Sequence, residues 1–100
     1  LADGTAGGVE PGSVTTSLAS KIAPRSALIP EREIADAMRL LAHEERLIVE
    51  GSAALAVAGL LSSAKSFAGK TVAVILCGRN ISFEKFEQAL SAEKDAKNAK

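Results

Sequence analysis

The chain has 100 residues, 47% of them hydrophobic, and its 12 basic side chains balance 12 acidic ones. A neutral balance offers no electrostatic footprint for nucleic acid or an anionic membrane surface. The lone cysteine, Cys77, excludes an internal disulfide, gives no metal-ligand cluster and fits a reducing compartment, most simply the cytosol.

This length suits one small domain. Phe67, Phe83 and Phe86 are the only aromatic residues, so the core must be aliphatic and tightly layered. The longest apolar run, Ala53 to Leu61, falls well short of the ~20 residues of a membrane span. The start is glycine-rich and acidic, unlike a signal peptide. Leu1 stands where an initiator Met would, inside what reads as a motif, which predicts a piece of a longer protein.

In chain order, Gly4, Gly7, Gly8, Pro11 and Gly12 predict irregular backbone with close approaches that a Cβ would block. The same composition also describes a flexible loop. Short extended pieces are expected at Ser13–Ser17 and Ala27–Ile29. Pro30-Glu31-Arg32-Glu33 reads as a helix start, with Pro in the first turn and acids favoured by the helix dipole. Ile34, Ala37, Met38, Leu41 and Ala42 recur at helical spacing and predict a helix from Glu31 to Arg46. His43, the only histidine, has no Ser or Cys near it in sequence and reads as solvated.

Ala53 to Leu61 is apolar on every face and predicts a helix buried nearly all round. Just before it, Glu50 or Ser52 caps that helix, or Glu50 faces a ligand, because a carboxylate between apolar segments needs a partner. Thr71 to Leu76 is continuously apolar, as in a strand covered on both faces of a parallel sheet. Ile81, Phe83, Phe86 and Leu90 predict a last amphipathic helix with Ser82 as its cap. Residues 91–100 lack an apolar stripe and read as a flexible tail. The expected class is therefore α/β, part of a parallel-sheet domain ordered helix-helix-strand-helix over residues 1–90.

Cys77-Gly78-Arg79-Asn80 follows that strand, where open α/β sheets place their ligands. Its thiol has three readings: a small apolar filler, a nucleophile, or a soft hydrogen-bond partner for a ligand. The glycine-rich start lacks dinucleotide and Gly-Lys-Ser/Thr spacing, and no Ser-His-Asp arrangement stands out. On the residues alone these readings stay open.

Four segments, in order, carry a resemblance. Leu1-Ala2-Asp3-Gly4-Thr5-Ala6-Gly7-Gly8-Val9-Glu10-Pro11-Gly12-Ser13 resembles the segment after the tetraglycine loop of threonine and serine dehydratases. Glu31-Arg32-Glu33-Ile34-Ala35-Asp36-Ala37-Met38 is similar to their "E-x-E-I-x-x-A" helix. Glu50-Gly51-Ser52-Ala53-Ala54-Leu55-Ala56 resembles "E-G/P-x-G/A-A-x-A". Val74-Ile75-Leu76-Cys77-Gly78-Arg79-Asn80-Ile81 resembles "V-x-L-S/C-G-x-N".

The resemblance implies the carboxyl-terminal part of the cofactor domain of a fold-type II pyridoxal-phosphate enzyme. It implies β-elimination from a hydroxy amino acid to a 2-oxo acid and ammonia, by a homo-oligomer when full length. Cys77 falls where the family hydrogen-bonds the cofactor's pyridine nitrogen, Gly4 where backbone lies against the cofactor, and Glu50 where a carboxylate stands near the ring. The resemblance implies that a thiol there, unlike an aspartate, would not hold the ring nitrogen protonated, which leaves the ring a milder electron sink.

No lysine here has the family's cofactor-bearing "S/N-x-K-x-R-G" setting, and no phosphate cradle, substrate-carboxylate loop or set of acidic metal ligands is present. No catalytic residue is therefore assigned, and this polypeptide alone is expected to be inert. Pro30 and Pro24-Arg25 depart from the family pattern at points that bear on local stability. The rival readings are a serine racemase or 3-hydroxyaspartate ammonia-lyase of the same superfamily, a non-catalytic remnant, and a regulatory small-molecule-binding module.

Overall fold

The computed structural model describes residues 1–5, 7–8, 10–22 and 25–98, with residues 92–98 described by their backbone alone. Ala6 and Val9 of the first motif segment, Pro24 of the departures from the family pattern, and Ala99 and Lys100 of the expected tail lie outside the described residues. Four α-helices carry the fold: α1 (Val14–Ile22), α2 (Glu31–Glu45), α3 (Gly51–Ser62) and α4 (Phe83–Asn98). Single turns of tighter helix occur at Asp3–Thr5 and Ala64–Phe67.

α2 is central. Ile34, Ala35, Ala37, Met38 and Leu41 share its buried face, which packs on α3 along one flank and α4 along the other. Pro30 precedes the helix in extended conformation without a side-chain cap, and its carbonyl accepts from the N–H groups of Glu33 (3.0 Å) and Ile34 (3.2 Å). At the far end Arg46 adopts φ 57°, ψ 36°, and the Leu47 N–H returns to the Leu41 carbonyl at 3.1 Å. This left-handed stop turns the chain back towards α3. Arg39 ties α2 to α4 through a 3.1 Å bond from its guanidinium to the Leu90 carbonyl.

α3 contributes Ala53, Ala54 and Ala58, whose small side chains let its backbone lie close to α2. Phe86 and Ala89 of α4 and Val49 of the α2–α3 link complete the core. Ser82 caps α4, its hydroxyl accepting from the Lys85 N–H at 3.2 Å, as the sequence implies. No described helix is long and apolar enough to cross a membrane.

Three expectations are corrected. Ser13–Ser17 is not extended: α1 begins at Val14, and Val14, Leu18 and Ile22 form an exposed stripe along it. α3 is buried on one face only, with Ala56 and Leu61 exposed, because just α2 and the Asp3–Thr5 turn pack against it among the described elements. The α/β expectation is met only by its helices among the described residues. Thr71 to Leu76 is an extended connection, and no strand forms among the described residues. Sheet identity requires a neighbouring backbone to complete the ladder, and none of the described segments supplies one. Val72 is consequently 39% and Ile75 78% exposed. The backbone from Ser91 continues as helix to Asn98.

Candidate functional site

The site is built where three loops meet the start of α3. The first is the Asp3–Thr5 turn, held by the Thr5 N–H (3.0 Å) and hydroxyl (2.7 Å) donating to the Ala2 carbonyl. It sits against α3 so closely that a side chain at Gly51 would fall on the Leu1 carbonyl. Glycine at that position therefore sets how near the first loop can come.

Glu50 occupies the N-cap position of α3 in extended conformation, yet its side chain makes no capping bond. Its carbonyl accepts from the Ala53 and Ala54 N–H groups, both at 3.1 Å, while its carboxylate bonds a first-turn side chain and the turn beyond the helix. One carboxylate oxygen accepts from the Ser52 hydroxyl at 2.6 Å, and the other accepts from the Asn80 backbone N–H at 3.2 Å. The simple capping reading of Glu50 is thus set aside. The carboxylate joins α3 to the turn after the extended segment.

That turn is fastened at further points. The Glu50 N–H donates to the Gly78 carbonyl at 3.2 Å, and Arg79 Nε donates to the Ile48 carbonyl at 3.3 Å. Gly78 has φ +126°, and a Cβ there would collide with the Glu50 side chain. Only glycine satisfies both the dihedral and the space.

Gly4, Glu50, Ser52, Asn80 and Lys85 face one cleft of about 280 Å³. A Cβ on Gly4 would lie 3.3 Å from Ser52 Oγ and 3.6 Å from the Glu50 carboxylate, so the bare backbone of Gly4 widens that cleft. Of the three residues that the sequence points to, Gly4 and Glu50 are brought together here. Cys77 is exposed and sits one residue before Gly78, outside the cleft lining. Ser52, Asn80 and Lys85 are additions from the structure. Ser52 and Asn80 lie inside the motif segments, whereas Lys85 reads as a solvated helix position and gives no local signal. His43 is exposed on α2 beside Asp36 and Arg39, away from this cleft. Among the described residues no group of acidic, His and Cys side chains could hold a metal ion.

Comparison with known proteins bears directly on this arrangement. The family model described as pyridoxal-phosphate dependent enzyme matches residues 1–78. The chain belongs to the pyridoxal-phosphate dependent enzyme family. Three relatives of the family are informative. An L-threonine ammonia-lyase from Thermotoga maritima is 33% identical over 91 residues, 91% of this chain and 22% of the relative. A beta-hydroxyaspartate dehydratase from Paracoccus denitrificans is 40% identical over 55 residues, 55% of this chain and 18% of the relative. An L-threo-3-hydroxyaspartate ammonia-lyase from Saccharomyces cerevisiae is 30% identical over 67 residues, 67% of this chain and 21% of the relative. The chain spans about a fifth of the length of these curated relatives. No solved structure gives a significant match.

Pyridoxal phosphate is the cofactor of this pyridoxal-phosphate dependent enzyme family, and the donor set fits part of it. Gly4 leaves open the space that a Cβ would fill beside Glu50 and Ser52, as a flat ring requires. Cys77 offers an exposed thiol, a weak donor and acceptor, on the neighbouring turn and outside the cleft lining.

Proposed function

We propose that this chain supplies one wall of the cofactor site of an ammonia-lyase that removes the β-hydroxyl of a hydroxy amino acid, giving a 2-oxo acid and ammonia. The observation that carries the reading is the convergence of Gly4 and Glu50, from two separate motifs, on one cleft roofed by the turn that follows Cys77. The relatives' names point to the same reaction class.

When bound, pyridoxal phosphate supplies the electron sink for breaking bonds at the substrate's Cα and Cβ. The residues here hold and tune it. Cys77 would stand towards the ring nitrogen, where a thiol can offer a weak hydrogen bond. The Gly4 backbone would lie along the ring, with Glu50 on the same wall of the cleft. The apolar segment Thr71 to Leu76 takes its place in a parallel sheet once neighbouring backbone completes the ladder. The carboxyl-terminal part of that cofactor domain comprises residues 1–90, with 91–100 as its tail. The working form is a cytosolic homo-oligomer, consistent with a lone unpaired cysteine.

Two of the three relatives carry hydroxyaspartate in their names, which favours a 3-hydroxyaspartate as the second substrate to try after threonine and serine. The test uses the full-length protein. Pyridoxal phosphate is titrated by absorbance, and ammonia release is measured with L-threonine, L-serine and 3-hydroxyaspartate. Cys77→Ser should retain activity. Cys77→Ala should weaken cofactor binding about two- to tenfold, the worth of one modest hydrogen bond. Cys77→Asp should alter the partition between elimination and other outcomes. A Cys77→Asp protein indistinguishable from wild type would exclude the ring-nitrogen role, and a wild-type protein that binds no pyridoxal phosphate would exclude the whole reading.

A further inference from the structure

We propose that Glu50 is a positioning residue, whose carboxylate fixes the turn that carries Cys77 rather than acting on the bound group by its charge. The inference rests on the cofactor-site reading above and assigns Glu50 a specific part in it.

The carboxylate is already committed to two donors of its own chain. Ser52 Oγ holds one oxygen at 2.6 Å and the Asn80 N–H holds the other at 3.2 Å. The first bond locks the side chain's rotamer on the Ser52 side, leaving the second oxygen aimed at the turn. The backbone of Glu50 adds a third link through its N–H to the Gly78 carbonyl at 3.2 Å. Its methylene and carboxyl carbons fill the space beside Gly78 where any other residue would place a Cβ. Gly78 and Asn80 are thus gripped on both sides of Arg79, whose Nε anchors the turn to Ile48. Cys77 precedes Gly78 directly, so the position of its thiol follows from this grip.

Each carboxylate oxygen has a donor from its own chain, Ser52 on one and Asn80 on the other, so the side chain is oriented by the turn before any ligand arrives. What the turn needs from position 50 is an acceptor facing Asn80 and a group that can bond the Ser52 hydroxyl. Glutamine meets both needs. Its amide oxygen can accept from Asn80, and its NH₂ can donate to Ser52 Oγ, because a hydroxyl also accepts. Alanine meets neither.

The experiment compares Glu50→Gln and Glu50→Ala in the full-length protein by two independent readouts. One is amide hydrogen exchange of the segment 77–82 without pyridoxal phosphate, and the other is the dissociation constant for pyridoxal phosphate. Loss of the charge-assisted bond should speed Asn80 exchange about tenfold in Glu50→Ala and weaken cofactor binding with it. Glu50→Gln should stay within about twofold of wild type in both, since its bonds are kept.

The proposal is overturned if Glu50→Gln weakens cofactor binding as much as Glu50→Ala while exchange at 77–82 is unchanged, because charge on the ligand would then be the role. If Glu50→Ala does not fold, Ser52→Ala provides the second probe. It frees the carboxylate to rotate and should speed Asn80 exchange about two- to threefold, from loss of a single bond. No change in Ser52→Ala would also overturn the proposal. A wild-type protein that binds no pyridoxal phosphate defeats the cofactor-site reading alone, because the exchange comparison still decides whether Glu50 holds the turn.

Discussion

Replacing Gly78 with alanine tests the site's geometry through stability alone. At φ +126° an alanine is strained whatever the available space, a cost of about 1–3 kcal/mol. The added methyl also meets the Glu50 side chain, which must swing away and give up the Asn80 N–H. Losing a charge-assisted bond costs up to ~3 kcal/mol, and the low end applies because Glu50 is only half-buried. The sum is a loss of about 2–4 kcal/mol, to be read as a fall in the urea midpoint by circular dichroism. Gly69 provides the control: its φ is +75° and a methyl added there would have nothing within 4 Å, so Gly69→Ala should cost only ~1 kcal/mol.

The decisive comparison is Gly78→Ala made in a Glu50→Ala background. With the obstacle gone, the methyl should cost about 1–2 kcal/mol less than it does in wild type, a coupling typical of residues in direct contact. If the two substitutions simply add, to within about 0.5 kcal/mol, Glu50 does not crowd Gly78 and the turn is not fastened in this way.

Met38 lies fully buried at the centre of the α2, α3 and α4 contact. Met38→Ala should destabilise the protein by about 2–5 kcal/mol, measured by denaturant unfolding, and a loss below ~1 kcal/mol would mean that this is not the core. Arg46 holds a left-handed conformation at the end of α2 with φ 57°. Arg46→Gly should relieve that strain and raise stability by about 0.5–1 kcal/mol, seen as a higher melting temperature, although the bond from its guanidinium to the His43 carbonyl is lost. A fall in melting temperature would show that this bond outweighs the backbone strain.

Much of the helical part was legible from local pattern. Ile34, Ala37, Met38 and Leu41 announce the buried face of α2, and Ser82 announces the start of α4, because each signal lies within a few residues of its effect. α1 was not legible: Val14, Leu18 and Ile22 have helical spacing, but Thr15, Thr16, Ser17 and Ser20 dilute it with residues that also favour extended and turn backbone. Thr71 to Leu76 shows the opposite failure. Its composition is that of a strand, but pairing is a property of two segments, and no described segment pairs with it. The site was legible as residue types and not as contacts. Glu50 reads equally as cap or ligand group in sequence, because the donor that decides between them, the Asn80 N–H, is 30 positions away.

The unpaired stretch Thr71 to Leu76 also bears on how the protein must be handled. Six consecutive residues rich in β-branched side chains, without charge, Pro or Gly, stand with Val72 and Ile75 open to solvent. That is the signature of segments that stack between identical chains into fibrils. Covering the segment with neighbouring backbone should suppress aggregation, and unfolding or proteolysis that leaves it bare should turn it into a nucleus for aggregation.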